Sequence, residues 1–174
     1  VFNEPYWQEC MGCGYTTRQQ QFLYNRIKEI QNVPIFSAVD SMDFWSKKSA
    51  ETVFADGVCD FCATWFYPFL TKGYNRNELI RRLKADLDTA HRLAPNSKIV
   101  WYLQSFAKDG DSLRMPDSRE MFDIAKIVID SGVDGVMWYA WSFNSLYSDT
   151  LGRHPELFPT IKQVYKELVV PSRK

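Results

Sequence analysis

Two carboxylates and a scatter of large aromatic side chains are the residues of this chain whose types and positions could do chemistry. Glu4 stands between Asn3 and Pro5, so an amide flanks the acid and a proline stops the short apolar run that precedes it. Asp40 directly follows the run Ile35 to Val39. A carboxyl group fixed at the end of a strand can deliver or accept a proton. Each acid also has a plain structural role: a cap on the following helix for Asp40, a surface ion pair for Glu4. The aromatics are six Trp, nine Tyr and twelve Phe, and many stand where strands should end rather than inside helices. Trp and Tyr join an apolar face to a polar edge, which suits stacking on sugar rings and suits core filling equally.

Other chemistries find less support. Cys10 and Cys13 pair with Cys59 and Cys62 as two CxxC motifs, the pattern of a structural zinc site. The first pair follows a strand's end and the second enters a strand from the other edge. The two are then about 20 Å apart, against about 2.3 Å for a zinc–thiolate bond. Ordinary free or buried thiols are the expectation, with a local Cys10–Cys13 disulfide as the alternative. His91 and His154 have no Gly-x-Ser-x-Gly companion, so a Ser/His/Asp triad is unsupported. In the loop after the last strand, His154 could hydrogen-bond a sugar hydroxyl, although plain surface placement is the commoner outcome. No glycine-rich phosphate loop follows any strand, and neither a cofactor nor a metal is expected.

The 174 residues suit one domain, 1–174, with a substantial core. Lys plus Arg equals Asp plus Glu at 21 each, and no basic run is long enough to favour nucleic acid or an anionic bilayer. No apolar run approaches the roughly 20 residues of a membrane span. A first residue other than Met is expected of a processed or trimmed chain. The compartment is left open, with secretion as the candidate.

The elements that must position these residues alternate. Helical spacing covers Thr17 to Gln31, with Phe22, Leu23, Ile27 and Ile30 expected inward. Asn75 with Glu78 resembles a capping box opening a helix with Leu79, Leu83, Leu87, Ala90 and Leu93 inward. Asp117 with Glu120 repeats the device ahead of Met121, Ile124, Val128 and Ile129, and Gly132 supplies the stop. A last helix near Pro155 to Leu168 is expected to bury Phe158, Ile161, Tyr165 and Leu168, with Pro159 in its first turn. A shorter helical piece is expected around Phe44 to Phe54. Between them lie β-rich runs at Val1 to Asn3, Ile35 to Val39, Phe61 to Phe66, Ile99 to Leu103 and Gly135 to Ala140, mostly apolar on both faces. Strict β/α alternation predicts an α/β fold with a parallel sheet of five strands in sequential order, helices outside.

In such folds the strands' C-terminal edge carries the site. That edge presents Glu4, Asp40, Trp65 with Tyr67, Gln104, and finally Trp138, Tyr139 and Trp141. Asn3-Glu4-Pro5, the strand Val100 to Phe106 followed by Pro116 to Glu120, and Gly132 to Trp141 together resemble the clan A (β/α)8-barrel glycoside hydrolases. The resemblance covers nearly the whole chain and implies strands four to eight of a barrel, a (β/α)5 half-barrel. A complete barrel typically needs about 250 residues.

What the resemblance implies for the site is a glycoside-hydrolase-like protein acting on a glycosidic bond. Glu4 would be the acid, and Asn3, Trp65, Tyr67, Gln104, Trp138, Tyr139 and Trp141 would hold the sugar. One position departs from the pattern: active retaining members end the seventh strand in a nucleophilic Glu, where this chain has Gln104. An amide cannot attack the anomeric carbon. Asp40 is then the best second carboxylate, and a separation of about 6.5–9.5 Å from Glu4 would suit inversion. Glu4, Asp40, Gln104 and Trp138 are expected to point into one cleft. The alternatives are a non-catalytic carbohydrate-binding pseudoenzyme and an incomplete segment completed by a partner chain. Open sheet edges expose unpaired backbone groups, so self-association is expected beside a carbohydrate ligand.

Overall fold

The computed structural model describes residues 2–3, 16–38, 55–109, 112–141 and 147–171. The architecture is α/β, with a main sheet ordered β1 (Phe2–Asn3), β2 (Phe36–Ala38), β3 (Phe61–Trp65), β6 (Lys98–Gln104) and β8 (Gly135–Tyr139). These are the five expected strands in chain order. β1 pairs β2 in parallel with Phe2 opposite Ser37, and β2 pairs β3 in parallel with Ser37 opposite Cys62. Four α-helices occur among the described residues, α1 (Thr17–Ile30), α2 (Arg76–Leu93), α3 (Ser118–Asp130) and α4 (Phe158–Val164). Contacts cluster into two compact units, residues 1–65 with 82–100 and residues 66–81 with 101–174. The expected helical piece at Phe44 to Phe54 lies outside the described residues.

In the first unit, α1 starts because Thr16 completes a capping box: its Oγ1 accepts from the Gln19 backbone N–H at 3.3 Å, and its own N–H donates to Gln19 Oε1 at 2.8 Å. Its inward face corrects the sequence expectation. Gln20 is fully buried, whereas Phe22 and Ile30 are 67% and 75% exposed. Gln20, Tyr24 and Ile27 stand four and seven residues apart, one stripe of a 3.6-residue helix, and Phe22 and Ile30 fall off it. Asp60, at the start of β3, ties this helix to the sheet. Its carboxylate accepts from Tyr24 Oη at 2.9 Å, Lys28 Nζ at 2.8 Å and the Ile35 N–H at 2.6 Å. Burial raises its pKa, but the hydrogen bonds from Lys28, Ile35 and Tyr24 outweigh this and hold it below the usual carboxylate value.

Cys59 and Cys62 form a disulfide, a correction to the expected thiols. The turn into β3 brings their Cα atoms to 5.8 Å, well inside the reach of a bridge, and both residues are buried. Cys10 and Cys13 lie outside the described residues. Closing so short a loop restrains the unfolded chain by about 2 kcal/mol. The double variant Cys59→Ala/Cys62→Ala is therefore expected to melt about 4–8 °C lower. An unchanged melt by calorimetry would mean that the bridge adds no net stability.

The second unit carries two short ribbons with no counterpart in the sequence reading. β4 (Phe69–Leu70) pairs antiparallel with β5 (Gly73–Tyr74), and β7 (Phe106–Ala107) with β9 (Asp149–Thr150). Asp117 and Glu120 form the expected capping box on α3, and Arg114 grips the same Glu120 with both guanidinium amines, one at 2.7 Å. That hydrogen bond from Arg114 holds the Glu120 carboxyl below its usual value. Gly132 stops the helix at φ 91°, a left-handed position natural to glycine. After β9 the chain makes two 3-10 turns, Leu151–Arg153 and Pro155–Leu157, before α4, which continues as a π-turn over Tyr165–Val169. Here the expectation holds in part: Phe158 and Ile161 are partly buried and pack against Met121, Leu151 and Leu157. Leu157, Thr160 and Val164 are buried, while Tyr165 is exposed.

Candidate functional site

The strand ends of the second unit gather five aromatic rings. Tyr139, the last residue of β8, stacks on Tyr102 of β6 with ring centroids 5.6 Å apart and planes 7° from parallel. On Tyr67 it stacks at 6.4 Å and 13°. Phe106 sets its ring nearly perpendicular to both Tyr67 and Tyr139, at 4.8 and 5.9 Å. Tyr147 closes the group, 5.9 Å from the Tyr139 ring and 4.7 Å from Phe106, and its hydroxyl hydrogen-bonds that of Tyr139 at 2.8 Å. Stacking beyond simple burial contributes about 0.5–1.5 kcal/mol per pair, so the group holds its shape without a ligand. A sugar between two rings needs more than these spacings allow. Tyr139 is the keystone between Tyr67 and Tyr102, both of them half-buried. Burial, then the neighbouring Tyr139, raises the Tyr102 phenol to about 12, so it remains a hydrogen-bond donor at physiological pH.

Gln104 stands beside this group but takes no outward role. It is fully buried, and its carboxamide is consumed by backbone. Oε1 accepts from the Phe69 N–H at 3.1 Å, and Nε2 donates to the carbonyls of Arg114 at 2.9 Å, Phe106 at 3.2 Å and Phe69 at 3.4 Å. The side chain thus ties β4, β7 and the segment before α3 into one frame. A donor is required here, because three carbonyl oxygens converge on the nitrogen.

The remaining expected residues fall into three groups. Glu4 and Asp40 lie outside the described residues, and Asn3 is placed by its backbone as the end of β1. Trp65 ends β3 half-buried in the first unit. Trp138 turns to the opposite face of β8 from Tyr139, as strand alternation demands, and packs against Met121, Leu151 and Leu157. Its expected place in a cleft with Gln104 is therefore not what its packing serves. Trp141 is 60% exposed and stacks one face on Phe158 at 5.3 Å and 20°. Tyr102 and Phe106 were missed by the sequence reading, yet they flank Gln104 at two-residue spacing, the signal of a shared strand face. Tyr147 carries no such signal.

Among the described residues no cluster of three His, Cys, Asp or Glu side chains could hold a metal ion, and no helix is long and apolar enough to cross a membrane. No protein-family profile matches the chain, and no curated protein matches it.

Proposed function

We propose that this chain is a carbohydrate-binding, glycoside-hydrolase-like partial (β/α) barrel whose β6 edge is built for binding and not for covalent catalysis. The observation that carries this reading is the Gln104 amide. At the place where the resembling hydrolases have a nucleophile, this residue is buried and bonded to three carbonyls, while half-buried tyrosine rings stand around it. Rings with apolar faces and protonated hydroxyls match the two aspects of a sugar, its C–H faces and its hydroxyl edge.

A second reading, hydrolysis with inversion, is favoured by parallel strand β1, whose last residue Asn3 precedes Glu4 in the sequence. Asp40 would activate the water in that case. Self-association of two copies through the outermost strands, β1 and β8, belongs to the same proposal, because among the described residues each leaves one edge without a partner strand in the sheet order.

The test is a panel of aryl-glycosides and oligosaccharides assayed for both binding and cleavage, with wild type and Glu4→Gln. Binding without cleavage, equal in the two proteins, is the expected result. Cleavage abolished by Glu4→Gln would establish the hydrolytic reading instead. Failure of every glycan to bind would remove both.

A further inference from the structure

His154 sits between two acids. Its Nε2 lies 2.6 Å from Asp149 Oδ2 and its Nδ1 lies 2.7 Å from Glu156 Oε1. Carboxylates accept and do not donate, so both ring nitrogens must carry protons, and only the imidazolium has two N–H groups. Asp149 belongs to β9, two residues after Tyr147. Residues 148–152 are stitched to the strand ends that bear the aromatic group. Ser148 N–H donates to Ala107 O at 3.1 Å, Leu151 N–H to Ser105 O at 3.0 Å and Ala140 O at 3.2 Å, and Gly152 N–H to Trp141 O at 2.9 Å. The clamp therefore fastens the Asp149 end of the ribbon, two residues from the Tyr147 that meets Tyr139 and Phe106.

From this arrangement we infer that the Asp149–His154–Glu156 clamp is a pH-sensitive latch that holds Tyr147 in the aromatic site and so regulates ligand binding there. Its bearing on carbohydrate rests on the function proposed above, whereas the latch itself rests on the geometry alone. Among the described residues, the charged groups set against the ring are Asp149 from β9 and Glu156 from the second 3-10 turn. The neighbouring Arg153 directs its guanidinium to Ser148 O at 3.5 Å. Hydrogen bonds to Asp149 and then Glu156 raise the His154 pKa above its ordinary 6.5. A group whose folded pKa is raised contributes fully below its unfolded pKa and is lost as pH rises through the folded one. Once the ring is neutral, one nitrogen turns a lone pair toward a carboxylate under 3 Å away, that contact opens, and β9 loosens at the Asp149 end.

The experiment is NMR titration of the His154 and Tyr147 ring resonances between about pH 5.5 and 9, where an unperturbed or raised histidine titrates. Calorimetric binding of cellohexaose and maltohexaose is measured over the same range. In wild type the two rings are expected to move together, with one midpoint above 6.5, and oligosaccharide binding to weaken severalfold across it. Asp149→Asn should bring the midpoint down, and His154→Gln should leave Tyr147 without a transition; either variant suffices if the other fails to fold. A Tyr147 resonance that stays flat while His154 titrates would overturn the latch. Should the rings titrate together while neither sugar binds at any pH, the latch stands and the carbohydrate reading falls.

Discussion

Replacing Gln104 by Glu, the change that would nominally restore a nucleophile, is expected to destabilise the protein by about 3–5 kcal/mol and to produce no hydrolase. The cost has the scale seen when a buried charge lacks its partner. Nε2 donates to the carbonyls of Arg114, Phe106 and Phe69. An ionised Glu would point an oxygen at all three and supply no proton. At about 2–4 °C per kcal/mol for a chain of this size, the melting temperature should fall by roughly 6–20 °C. The loss should be partly recovered on acidification, because a protonated Glu regains one donor while burial raises its pKa. Thermal melts of wild type and Gln104→Glu at two pH values check both statements. A variant as stable as wild type at neutral pH would mean that the carbonyl cage is not what holds this side chain.

The same residue marks how far sequence reasoning reached. Gln104 was identified as the end of its strand, and the strand order, the α3 capping box and the Gly132 stop follow from local patterns that the fold keeps. Its saturation by backbone was not legible. The carbonyls come from residues 69, 106 and 114, the first two in two-residue ribbon strands too short to display any periodicity. Helix registers failed where polarity and burial part company. Gln20 is buried and Phe22 exposed, an inversion that no apolar-spacing rule can foresee. The Cys59–Cys62 bridge was overlooked because the two CxxC pairs were weighed as one long-range metal site, when the local turn into β3 was enough to bring one pair together. Glu4 and Asp40, on which hydrolysis would depend, remain sequence arguments.

The two tryptophans flanking the keystone tyrosine should separate stability from binding. Trp138 packs against Met121, Leu151 and Leu157, so Trp138→Ala leaves a cavity beneath α3 and should destabilise by about 3 kcal/mol, the lower end for a Trp truncation because the ring is only half-buried. Its effect on oligosaccharide affinity, measured well below the melting temperature, should be small. Trp141 has one face on Phe158 and the remainder in solvent. Trp141→Ala should hardly move the melt, yet should weaken binding by about tenfold, since one stacked ring contributes on the order of 1 kcal/mol beyond its buried area. Melts and calorimetric titrations on the same two proteins decide the matter. The opposite pattern, with affinity lost in Trp138→Ala and untouched in Trp141→Ala, would move the binding surface from the exposed face of Trp141 to the helix-facing side of β8.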